Sequence, residues 1–230
     1  MSDSSPSRLD DYLDVFVSPT KLFERRSDGK YGQALLVLAV LIAALFFATR
    51  TAMQPIFEAD MMRGMAANPN MTPEQIEAAK KVGGVFTGIV LIIGMSLAPL
   101  VVGAFVWIAS KIVGAAVTYA QGATIATFAF FPRLIEMVVG AIQALLMDES
   151  KLTGRHTVSL GVGRFLDPDS MSPVLNGYLG RIDLFTIWVT VLVGIGLKVM
   201  GKASTGQAAA GAAIVWVLGG LILFAQGLGG

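Results

Sequence analysis

From residue 33 onward the chain alternates long apolar runs with polar breaks. At ~1.5 Å per residue, about twenty helical residues cross the ~30 Å hydrocarbon layer of a bilayer. The pattern predicts spans over about 33–50, 85–110, 124–147, 182–199 and 207–224. The first run, ALLVLAVLIAALFFA, holds no polar group and closes at Arg50. The second carries Pro99, which removes a backbone donor and predicts a kink. The fourth opens with Asp183, placed to cap its helix through orphan amides, and the fifth starts AAAGAA, a small-residue face suited to close helix contact.

The third run is the exception. TIATFAFFPRLIEMVVGAIQALLM is apolar almost throughout, yet it holds Pro132, Arg133, Glu136 and Gln143. Read as one helix over 124–147, it puts the two charges near its middle. At ~100° per residue Arg133, Glu136, Gly140 and Gln143 share one narrow face. A lone charge at the bilayer centre costs about 2.5–3.5 kcal/mol on insertion scales. The face is therefore expected to point into a helix bundle, with Arg133 and Glu136 neutralising each other or meeting a partner.

Residues 1–32 pattern differently. Leu9, Leu13 and Phe16 recur at helical spacing, Ser18-Pro19 breaks the segment, and Leu22-Phe23 precede Glu24-Arg25-Arg26. The pattern predicts a polar head of short amphipathic helices at the membrane surface. Residues 33–226 then form one five-helix domain. Two connections are long. In the first, Pro55 is expected to break the chain, and Thr72-Pro73-Glu74-Gln75 reads as a capping box opening a short helix. The second runs from Asp148 to Arg181. The segments 53–83 and 148–181 are expected to lie on one face and cap the bundle.

Composition narrows the class. Of 230 residues, 54% are hydrophobic and only 14% charged, and mean hydropathy is +0.69. A soluble domain carries roughly a quarter charged residues. The chain is thus expected to be all-α: a polytopic integral membrane protein with five transmembrane helices and short interfacial helices. Net charge is +1, so no large basic face points to nucleic acid. With no cysteine there are no disulfides, thiolate metal sites or cysteine nucleophiles. The single histidine, His156, sits in a loop without clustered ligands. Met53, Met61, Met62, Met65 and Met71 read as fillers of apolar helix faces rather than copper ligands. No cofactor or metal is expected. Neither His-Glu-x-x-His nor Gly-x-Ser-x-Gly occurs, and the chain is not expected to be an enzyme. Basic residues are denser in the shorter segments on the N-terminal side, which predicts a cytoplasmic N-terminus in the cell membrane and a C-terminus on the opposite face.

The ordered motifs resemble those of the Yip family, the Ypt/Rab-interacting membrane proteins, in its bacterial branch. The head, Phe16, Pro19 and Phe23, is similar to the family's Phe-x-x-Pro-x-x-x-Phe entry segment. Gly114, Thr118, Tyr119 and Gln121, followed by Phe128-Ala-Phe-Phe-Pro132, resemble its Gly-rich turn and proline-bearing third span. Ile182, Asp183, Leu184, Phe185, Ile187 and Trp188, continued by Leu192, Ile195, Gly196 and Leu197, resemble its fourth-span signature. The resemblance implies five spans and a cytoplasmic N-terminus. It also implies vesicle traffic and Rab-type GTPase contact in eukaryotic members, whose long N-terminal domain this chain lacks, so GTPase binding is doubtful for it. The expected function is that of a non-enzymatic membrane adaptor, assembly or bilayer-organising factor. The alternative is a small-solute or ion transporter or channel using the Arg133, Glu136, Gln143 face. Expected partners are the lipid bilayer and a membrane protein or second copy of the chain.

Overall fold

The computed structural model describes residues 10–66 and 72–227. Leu9 and Met71 lie outside the described residues. Among those described, the secondary structure is helical, apart from an isolated bridge between Gly161 and Asp183. In order come α1 (Asp10–Val17), α2 (Pro19–Arg25), α3 (Gly32–Ala66), α4 (Pro73–Ile112), α5 (Tyr119–Ala129), α6 (Pro132–Leu146), α7 (Pro173–Gly180), α8 (Leu184–Met200) and α9 (Thr205–Gly227). Short 3₁₀ turns fill 149–170. Among the described residues three stretches are long and apolar enough to cross a membrane: Gly32–Met65, Gly88–Ile112 and Tyr119–Leu146. Helix α8 is apolar but shorter, at 17 residues.

Two expectations about helix ends need correction. Pro55 does not break the chain, because α3 runs through it for 35 residues. Strong helix formers flank the proline on both sides, and Gln54 Nε2 donates to Glu58 Oε1 across it at 2.7 Å. Likewise the capped helix at Thr72 does not stop before the second span but continues into it, giving the 40 residues of α4. The cap itself forms as expected: Thr72 N–H donates to Gln75 Oε1 at 2.9 Å, and Gln75 N–H to Thr72 Oγ1 at 3.3 Å. Most of segment 53–83 is therefore helix rather than loop.

The third run also departs from a single helix over 124–147. It is divided between α5 and α6 by a turn at Phe130-Phe131. There Phe131 N–H reaches back only to Phe128 O, at 3.1 Å. Pro132 has no N–H to continue the ladder and instead starts α6, the position where its fixed φ fits. Arg133 thus sits in a first turn rather than mid-helix.

The chain divides into two compact units. The first comprises Met1–Leu38, Leu97–Pro132 and Trp188–Gly219. Its core holds Leu22, Phe23, Leu38, Val106, Ile125, Phe128, Leu192 and Leu197, all essentially buried. Helices α4 and α5 meet backbone to backbone at Gly103 and Gly122; a Cβ on Gly103 would lie 2.6 Å from Ala123 Cα. Two further capping boxes stitch this unit. Thr118 caps α5 with Gln121, whose Nε2 donates to Ser27 O at 2.9 Å. Ser204 caps α9 with Gln207, whose Nε2 donates to Val113 O at 2.8 Å.

The second unit comprises Ala39–Ser96, Arg133–Ile187 and Gly220–Gly230. Here Ile56, Ala144 and Leu152 form a small apolar cluster, packed by Met53, Met147 and Val158. Polar side chains at the end of α3 hold the 153–169 segment. Arg63 pairs with Asp169 at 2.8 Å and donates to Thr153 O at 2.9 Å, while Arg155 pairs with Asp60 at 2.7 Å. The two segments expected to form a cap thus meet in this unit. Large apolar side chains such as Leu36, Phe47, Ile89, Ile93 and Leu97 stand exposed along α3 and α4. That much exposed apolar surface suits hydrocarbon rather than water.

Candidate functional site: the polar face of the sixth helix

Helix α6 carries the chain's concentration of polar groups within an apolar stretch, and its spacing decides how they meet. Arg133 and Glu136 are one turn apart, and Arg133 Nη1 donates to Glu136 Oε2 at 2.5 Å. The second arm of the guanidinium donates to Thr186 Oγ1 at 2.8 Å. The Thr186 hydroxyl donates in turn to the Asp183 carboxylate. Asp183 is 6% exposed and caps α8: its Oδ1 accepts the N–H groups of Phe185 at 2.9 Å and Thr186 at 3.0 Å. Arg133 lies 4.0 Å from Asp183, at the edge of ion-pair range. The result is a connected series, Glu136 to Arg133 to Thr186 to Asp183, tying the first turn of α6 to the first turn of α8.

Two turns further along α6, Gln143 uses both ends of its amide. Its Nε2 donates to Val158 O at 2.9 Å, and its Oε1 accepts from Arg164 Nη1 at 2.7 Å. Gln143 therefore holds the segment after α6 against the helix. Each of the three polar residues of this face is engaged with protein partners.

The other residues singled out in the sequence take structural places. In the first unit Phe16 meets Trp188 edge to face, ring centroids 5.8 Å apart. Pro19 starts α2, and Phe23 is fully buried. Tyr119 opens α5 and donates its hydroxyl to Leu100 O at 3.4 Å. In the second unit Phe185 is buried beside Asp183. The motif residues therefore fall in both units, and Pro132 closes the Leu97–Pro132 segment of the first.

Sequence reasoning missed several members of these networks. Thr186 follows Asp183 at the capping spacing, which was a readable signal. Tyr12 packs on Phe131 with centroids 5.3 Å apart. Asp11 is 3% exposed and pairs with Arg25 at 2.7 Å and with Arg26. Arg25 also reaches Asp14 at 2.5 Å; its burial works against its charge, but these carboxylates win and hold its pKa above the usual arginine value. His156 sits beside the Arg63–Asp60 pair, its ring 3.4 Å from Thr153 Oγ1. Burial first, then the Arg63 charge, push its pKa below the ordinary value, against the opposing pull of Asp60, Asp169 and Asp167. Among the described residues no group of three or more His, Asp or Glu side chains gathers as a metal site.

Comparison with known proteins places the chain. The Yip1 domain family model matches residues 13–226. The chain is similar to the membrane protein YknW of Bacillus subtilis (strain 168), 27% identical over 194 residues, which covers 83% of this chain and 78% of that protein. No solved structure matches.

Proposed function

The chain belongs to the Yip1 domain family of membrane proteins, and on that premise we propose that it is a non-enzymatic membrane adaptor or assembly factor. In this reading it has five spans, adding α8 and α9 to the three membrane-length stretches, and it works through helix contacts with a membrane-protein partner. The observation that carries the reading is the use made of the α6 face. Arg133 is taken up by Glu136 and Thr186, and Gln143 by Val158 and Arg164. A solute pathway needs polar groups free to exchange partners with the solute. Here they are consumed in joining α6 to α8 and to the segment that follows it, so the face acts as a structural seam.

Purification of the full chain in mild detergent tests the role. A stoichiometric membrane-protein partner is the expected result. A tightly bound small solute, with no protein at stoichiometric level, would sink the adaptor reading. The proposed topology has a cytoplasmic N-terminus and the C-terminus across the cell membrane. Alkaline phosphatase fused after Gly230 is then active in a bacterial host and a green fluorescent fusion there is dark; a bright fusion would contradict it.

A further inference from the structure

The segment 159–165 and the first turn of α8 border an open groove of about 620 Å³. This is within the roughly 300–1,000 Å³ range of small-molecule sites. Its base is a short antiparallel pairing: Val162 N–H donates to Ile182 O at 3.0 Å and Leu184 N–H to Leu160 O at 3.3 Å. Gly161 permits that approach, since a Cβ there would lie 2.6 Å from Asp183 Cα. The walls are apolar and open: Leu160, Val162, Ile182, Leu184 and Ile187 are all exposed, and Phe165 is 86% exposed. Such a surface, at the start of an apolar helix, fits hydrocarbon.

Two charged groups line this trough: Asp183, whose carboxylate is taken up by the Phe185 and Thr186 amides and the Thr186 hydroxyl, and Arg164, which has donors to spare. Arg164 lines the groove, and Gln143 Oε1 holds its Nη1 at 2.7 Å. Nearby Arg63 and Arg155 are each paired with a carboxylate, whereas Arg164 has no carboxylate partner among the described residues. A guanidinium fixed on one side and free on the other matches phosphate oxygens, which it binds through two parallel N–H bonds. Gln143 lies in the last turn of α6 and Leu184 in the first turn of α8. The ends of apolar helices are where arginine side chains reach the headgroup layer.

We propose that this groove is a phospholipid-binding site, with the lipid phosphate on Arg164 and one acyl chain lying between Phe165 and Ile187. The occupant is a lipid of the surrounding leaflet, because the groove joins a cation to an apolar trough and a soluble anion would use only the cation. The site stands independently of the adaptor reading: it remains if no protein partner is found.

The test is native mass spectrometry of the full chain, delipidated in mild detergent and titrated with dioleoyl phosphatidylglycerol. Dioleoylglycerol serves as the phosphate-free control and inorganic phosphate as the competitor. One phosphatidylglycerol is expected to stay bound, with dioleoylglycerol roughly tenfold weaker for want of the charged hydrogen bonds. Arg164→Gln is expected to weaken phosphatidylglycerol by a similar roughly tenfold factor. Phe165→Ser, at a side chain too exposed to matter for folding, should weaken both lipids. Unchanged binding in Phe165→Ser overturns the site even if Arg164→Gln does not fold. Equal binding of the two lipids overturns the phosphate contact. Full displacement by inorganic phosphate replaces the lipid with a free anion and overturns the proposal.

Discussion

At the head of the first unit, Asp11 gives both carboxylate oxygens to arginines at the end of α2, Arg25 in its last turn at 2.7 Å and Arg26 just beyond it, and keeps only 5% of its side chain exposed. On α6 of the second unit, Arg133 and Glu136 pair within one helix, with side chains 23% and 39% exposed. The first arrangement joins α1 to α2 and depends on one buried acid. The second neutralises itself locally and then reaches out through Thr186. A buried acid shared by two cations is hard to replace, because its loss leaves Arg26 without its carboxylate and Arg25 with Asp14 alone. A pair confined to one helix can be removed without stranding a charge on that helix, at the cost of the Arg133 bond to Thr186 and its approach to Asp183.

The largest effect is therefore expected at the head. Asp11→Ala leaves Arg25 and Arg26 short of their shared partner, and breaking such a pair costs about 3–5 kcal/mol. Asp14 still reaches Arg25, so the lower end of that range is expected. Thermal unfolding in detergent measures it; a variant as stable as the parent would erase the contrast between the clusters.

A smaller effect is expected from pH. The second unit holds His156, whose folded pKa lies below the ordinary 6.5 because of burial and Arg63. Between the two values the unfolded chain binds more protons than the folded one, so stability is whole above pH 6.5 and falls as pH drops through that window. The melting temperature is expected to decline slightly from pH 7.5 to 5.5 and to decline less in His156→Gln. An equal decline in both would remove His156 as the cause.

Much of this architecture was legible from pattern alone. The apolar runs and the break at Ser18-Pro19 are local properties, and local properties set helices. Ends were harder where two local signals competed. Pro55 costs a helix about 3 kcal/mol in isolation, yet the strong helix formers around it carry α3 through. At Pro132 the balance tips the other way, because proline is favourable in a first turn and α6 begins there. The capping box at Thr72-Gln75 was readable, and the same Ser/Thr-x-x-Gln spacing at Thr118-Gln121 and Ser204-Gln207 could have been read as well. What no spacing could show is where each glutamine's free amide would go, since Ser27 O and Val113 O are 94 residues away in sequence. The α6 face follows the same rule. The Arg133–Glu136 pairing is an i, i+3 relation visible in the sequence, whereas Thr186 and Arg164 enter it only through tertiary placement.

If the Arg133–Glu136 pair serves structure rather than transport, a double-mutant cycle shows it. Arg133→Leu, Glu136→Leu and the double variant are compared by melting temperature in detergent and by expression level. Arg133→Leu is expected to cost less than Asp11→Ala, because the Glu136 it leaves unpaired is 39% exposed, while Thr186 loses its bond from Arg133. The double variant is expected to recover the part of that loss that comes from the stranded Glu136, while the bond to Thr186 stays lost. A double variant as unstable as the worse single one would contradict the account.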